Sequence, residues 1–154
     1  NLLQIPLYLD TLGTVLAAIH LGLVPALLTA IVSHLLLGLT GLILYPFVCC
    51  SIMTALIAVL FRRKGWLRSL KGYLWLGFLL ALANGIFGSL LSYALFEGVT
   101  MVHAIDRLVM GILMSGWSIL VSIFWAGMVT NMMDKLLTGA FAFLLREPMR
   151  RLEG

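Results

Sequence analysis

Between Thr11 and Phe61 the chain carries no Asp, Glu, Lys or Arg. Coiled as one α-helix, that run would extend about 76 Å at about 1.5 Å per residue, against a bilayer hydrocarbon core of about 30 Å. It must therefore fold back on itself inside a membrane. Composition agrees, with 62% hydrophobic and 10% charged residues where soluble domains average about 25% charged. In hydrocarbon every backbone N–H and C=O needs an internal partner. The alternating apolar and polar pattern of a barrel strand is missing, so the spans are expected to be helices. The predicted fold is an all-α polytopic transmembrane helical bundle, a single domain over residues 1–154.

Glycine and proline punctuate the uncharged run. Gly22 and Pro25 in "HLGLVPA" break it once, and "GLTGLILYP", Gly38 to Pro46, breaks it again. Three segments result, about Thr11 to Gly22, Pro25 to Leu39 and Ile43 to Phe61. A fourth runs from Tyr73 to Phe96. Beyond it lie the uncharged stretch Leu108 to Met133 and the short apolar run Leu136 to Leu145. Arg62, Arg63, Lys64, Arg68 and Lys71 in one loop, and Arg146, Arg150 and Arg151 in the tail, place both on the cytoplasmic side. Parity then requires an odd number of crossings between Phe96 and Arg146. Either an outer lid of short helices, broken near Ser115 and Gly116, leads into a final span, or one long tilted helix runs from about Trp117 to Arg146. The lid is the preferred arrangement. With Asn1 in place of a methionine, a first span is expected upstream, giving about five spans here of an expected six.

This map puts most polar residues near the outer side, where a water-accessible pocket is their simplest common destination. Tyr8, Asp10, Tyr45, Tyr93, Asn131, Asp134 and Lys135 are the candidate binding residues there. Asn84, mid-span in "LANGIFGS", bonds a neighbouring helix or joins the same site. Asp10 suits a helix N-cap as well as a ligand contact, and the two roles are compatible. Asp134 and Lys135 neutralise each other at the interface or serve the site. Gly77, Ala81, Gly85 and Ser89 recur every four positions, a ladder that lets helix backbones approach closely.

Enzyme signatures are missing. There is no GxSxG, no HExxH and no phosphate loop ending in GK[ST], and the six acids are scattered. His20, His34 and His103 have no metal-ligand spacing, and Cys49 and Cys50 are adjacent, diverging on a helix. No catalytic residue, metal or cofactor is expected. The net charge of +4 is explained by topology rather than by nucleic acid.

"IPLYLDTLGTVLAAIHLGLVPALLTAIVSHLLLGLTG", Ile5 to Gly41, resembles the S components of energy-coupling factor (ECF) transporters, in which an outer loop enters a helix at an Asp and a Gly/Pro hairpin follows. "GMVTNMMDKLLTGAFAFLLREPMRR", Gly127 to Arg151, is similar to the last span of one branch, opened by an N-x-x-D-K pattern. The resemblance implies a six-helix subunit that captures a vitamin or related micronutrient from outside. Its partners would be the lipid bilayer, a membrane coupling subunit and two ATPases that drive uptake. Two departures stand out: the family's first span is missing, and Ser33 and His34 occupy a place where an Asn is expected. Related bundles form the sensor halves of histidine kinases, and a rod-shape morphogenesis protein has similar size and span count; both remain alternatives at the level of sequence.

Overall fold

The structure, a computed structural model, describes residues 11–39, 45–97 and 103–152. Among them the chain forms α1 (Leu12–His20), α2 (Leu23–Leu39), a short 3-10 turn (Tyr45–Phe47), α3 (Val48–Arg63), α4 (Leu70–Phe96), α5 (His103–Met114) and α6 (Ile119–Leu152), with no strand. Three helices are long and apolar enough to cross a membrane: the 3-10 turn with α3, α4, and α6 as far as Met149. α2 has 17 residues and α1 only 9, against the roughly 20 that a span requires.

The turns follow from the residues that make them. Gly22 ends α1 with φ +105°, and the N–H groups of Leu21 and Gly22 both donate to the Ala17 carbonyl. At the end of α3, Gly65 adopts φ +67° while Trp66 N–H reaches back to the Phe61 carbonyl at 3.1 Å. The Phe61 and Trp66 rings meet edge to face at 5.0 Å, the apolar contact that accompanies this helix stop. Gly116, with φ +91°, reverses the chain between α5 and α6.

α4 and α6 form the most extensive helix pair in the bundle. They run antiparallel: Gly77 lies against Lys135 and Leu136, Gly85 against Met128, and Ser89 against Gly127. A Cβ on Gly77 would strike the Lys135 carbonyl, one on Gly127 would strike Ser89 Oγ, and one on Gly139 would sit 2.5 Å from the Tyr73 carbonyl. The expected ladder of Gly77, Ala81, Gly85 and Ser89 is buried along this seam. α1, α2 and α3 pack beside it through Val15, Ala18, Ala26, Ala55 and Ala58, all with no exposed surface.

The stretch Leu108 to Met133 divides at Ser115 and Gly116, and its second half belongs to one long last helix, as in the alternative of a single helix from about Trp117 to Arg146. α6 continues without interruption from Ile119 through Asp134 and Lys135. α5 is amphipathic: Ile105, Val109 and Ile112 share one face and press on Ile123 and Ala126 of α6. Among the described residues α5 packs on α6 and on no other helix, so it forms a helical hairpin with α6 there and not a cover across the bundle.

Arg146 Nη1 donates to the Arg68 carbonyl at 3.4 Å, which brings the α3–α4 turn and the late part of α6 to one end of the molecule. In a variant lacking Cys49 and Cys50, a cysteine at Lys64 or Pro148 is expected to be shielded from impermeant thiol reagents in intact cells. A cysteine at Ser115 is expected to label. Labelling at Lys64 but not at Pro148 would contradict the shared end.

Candidate functional site

Threonines and one ion pair introduce polarity into the packed centre of the bundle. Lys135 Nζ lies 2.6 Å from Asp134 Oδ2 and donates to Thr11 Oγ1 at 2.9 Å. All three side chains are buried, Lys135 at 5% exposure and Asp134 at 3%. Thr11 reaches them because α1 packs against α6 as well as against α2 and α3. An isolated charge in a low-dielectric interior costs several kcal/mol, and an adjacent opposite charge with a hydroxyl ligand offsets much of that cost.

Thr138 stands one turn further along α6, on the same face as Asp134. It is fully buried, and its Oγ1 has no hydrogen-bond partner among the described residues. Thr130 on the same helix instead bonds the Ala126 carbonyl four residues back, at 2.8 Å. A buried hydroxyl that forgoes such a bond carries an unmet hydrogen-bonding demand of about 1–3 kcal/mol.

Depth follows from the helix pairing. Lys135 lies opposite Gly77, seven residues and so about 10 Å along α4 from Leu70 at the basic end. The sequence expectation placed Asp134 and Lys135 at the outer surface, opening a helix; they sit instead near the middle of α6. Their mutual neutralisation allows the helix to continue past them.

Of the remaining candidates within the described residues, Asn131 stands one turn before Lys135 on α6, and Tyr93, Tyr45 and Asn84 lie on other elements. Tyr93 is 43% exposed and lies 16 residues from Gly77, about 24 Å along α4. Tyr45, 46% exposed, is in the turn preceding α3. Asn131 donates to the Gly127 carbonyl of its own helix at 2.9 Å. Asn84 Nδ2 donates to Thr54 Oγ1 on α3 at 3.0 Å and to the Leu80 carbonyl at 2.9 Å. Tyr8 and Asp10 lie outside the described residues. Thr11 and Thr54 emerge as polar partners, and Thr138 as a buried hydroxyl on α6, all absent from the sequence-based set of binding residues. The one sequence signal for them was a threonine within an apolar run, which is weak because threonine also bonds its own helix.

No group of three or more His, Cys, Asp or Glu able to hold a metal occurs among the described residues. His34 Nδ1 is 3.1 Å from the Ala30 carbonyl of its own helix. Compared with protein-family models, curated proteins and solved structures, the chain gives no match.

Asn84 provides a local test. Its bond to Thr54 ties α3 to α4, and interhelical polar contacts of this kind contribute about 0.6 kcal/mol on average and up to about 1.7. Asn84→Ala is expected to lower stability by about 1 kcal/mol while small-molecule retention by the purified protein is unchanged. Loss of retention at unchanged stability would move Asn84 into the site.

Proposed function

We propose that this chain is the substrate-binding membrane subunit of an ATP-driven importer of the ECF type, an S component that captures a vitamin or related micronutrient from outside. The observation that carries the reading is the buried cluster of Asp134, Lys135 and Thr11. A bundle that only needs to stand in the membrane gains little from an internal ion pair, since apolar residues of similar volume fill the same space at no greater cost. Ionisable residues inside membrane segments generally belong to substrate or ion pathways. Here they offer a fixed cation, a fixed anion and hydroxyls to a small polar molecule.

On this reading an upstream helix completes six spans, and α5 folds back on α6 at the outer end of the bundle. Ligand reaches the cluster when α1 shifts away from α6, a contact much less extensive than the glycine seam between α4 and α6. The seam remains closed and serves as the rigid half of the site. The chain itself performs no chemistry; a coupling subunit and two ATPases supply the work of transport.

Co-expression of the tagged full-length protein with an ECF membrane subunit and its two ATPases tests the assignment. A four-component complex in one affinity step is expected. A well-folded protein that emerges alone would contradict the importer reading.

A further inference from the structure

The basic end of the bundle holds a second polar feature, remote from Asp134 and Lys135. A cleft of about 530 Å³ opens there among His20 at the end of α1, Arg62 at the end of α3, Arg68 in the following turn, Tyr73 on α4, and Arg146 and Glu147 on α6. Three guanidinium groups thus face one carboxylate. No carboxylate lies within ion-pair distance of Arg62 or Arg68 among the described residues. Arg146 Nε is 3.6 Å from Glu147 Oε1, and the Glu147 side chain is 60% exposed, so water screens that pair.

The arginines are positioned without being used up. Arg62 Nη1 donates to the Ala18 carbonyl at 3.4 Å, and Arg146 Nη1 to that of Arg68 at 3.4 Å. The Arg146 guanidinium also rests 4.1 Å from the centre of the Phe143 ring. Each guanidinium has five N–H donors, so most remain available to a ligand. Like charges drawn from α3, the turn and α6 into one cleft repel one another, and an anion between them reverses the sign of that interaction. Ile19 and Leu67 give the cleft an apolar wall, and Trp66, 57% exposed, lies in the same turn, as expected at the level of lipid headgroups.

We propose that this cleft binds a phosphate group, carried by the headgroup of an anionic phospholipid or presented as free phosphate. Guanidinium forks match phosphate oxygens two at a time, and basic recesses between membrane helices on the cytoplasmic side suit phospholipid headgroups. Bound phosphate ties α1, the α3–α4 turn and α6 together at this end.

The purified full chain in non-ionic detergent is titrated with dioctanoyl phosphatidylglycerol, dioctanoyl phosphatidylcholine or inorganic phosphate at constant ionic strength, with the thermal unfolding midpoint as readout. Phosphatidylglycerol is expected to raise the midpoint more than phosphatidylcholine. Arg68→Gln and Arg146→Gln are each expected to raise the concentration for half-maximal effect about fivefold. Arg68 makes no side-chain hydrogen bond or ion pair within the described structure, so its replacement spares the fold. Arg63→Gln, outside the lining, leaves the titration unchanged. A response to phosphatidylglycerol but not to inorganic phosphate assigns the lipid; an equal response to inorganic phosphate assigns the soluble anion. The proposal is overturned if neither raises the midpoint, if both Arg68→Gln and Arg146→Gln titrate like the parent, or if Arg63→Gln weakens the response as strongly.

Discussion

Replacing Gly77 by Leu is expected to abolish the folded bundle, and Gly77→Ala to destabilise it by about 1–3 kcal/mol. Any Cβ at Gly77 meets the Lys135 carbonyl, which belongs to rigid helical backbone and has no rotamer through which to yield. Relief comes only by parting α4 from α6, which loosens contacts along the whole seam; overpacking of this kind typically costs about 1–3 kcal/mol. The buried Cys50 thiol provides the readout in a Cys49→Ser background, through the temperature at which it becomes reactive in detergent. Gly111 is the matched control, because nothing lies within 4 Å of a Cβ added there. Gly111→Ala should leave the stability unchanged or raise it by up to about 1 kcal/mol through helix propensity. Equal midpoints for Gly77→Ala and the parent would mean that the helices do not approach as closely as the seam requires.

Lys135→Met is expected to cost about 3–5 kcal/mol, the usual penalty for leaving one member of a buried ion pair without its counter-charge. Thr11 simultaneously loses the ammonium that donates to its hydroxyl at 2.9 Å. Asp134→Asn is milder for the fold, because an amide oxygen still accepts from Lys135 while only the charge is lost. Its effect on ligand is the larger one: a charge-assisted hydrogen bond contributes about 1.5–3 kcal/mol, so affinity should fall about tenfold or more. Thermal unfolding of both variants beside ligand titration separates these outcomes. A Lys135→Met protein as stable as the parent would show that the charge is compensated from elsewhere and that the cluster is not a point of tension in the fold.

Much of the architecture was legible because it rests on local chemistry. Gly22 and Gly65 stop helices by adopting positive φ, which few other residues do cheaply. The four-residue spacing of Gly77, Ala81, Gly85 and Ser89 marked the face on which α4 meets α6, since small residues in a membrane helix have close approach as their main use. The depth of Asp134 and Lys135 was not legible. Two adjacent opposite charges read equally well as an interface or as a self-neutralised interior pair, and only the partner helix decides between them. That partner, Thr11, is 124 residues away in the chain. Helix length was not legible either: α1 and α2 are as apolar as the sequence suggested but have only 9 and 17 residues, because apolar character alone does not report where a helix begins.

Tyr45 and Tyr93 were chosen as pocket residues for their expected position near the outer side. Tyr93 lies about 24 Å along α4 from Gly77, the residue opposite Lys135, so residues that a sequence map assigns to one side of the membrane need not stand at one level. Asn84 and Thr54 make the same point in reverse, since a polar residue in mid-span has a sufficient use in joining two helices.

The most direct measurement is mass spectrometry of the small molecules that remain with the full-length protein after purification from cells grown in rich medium. The parent is expected to retain one vitamin-sized polar compound at close to one equivalent. Asp134→Asn, folded by its unfolding midpoint, is expected to lose it. A parent protein that retains nothing and shows no stabilisation by any member of a vitamin panel would contradict the account, as would an Asp134→Asn protein that holds the same compound as tightly as the parent.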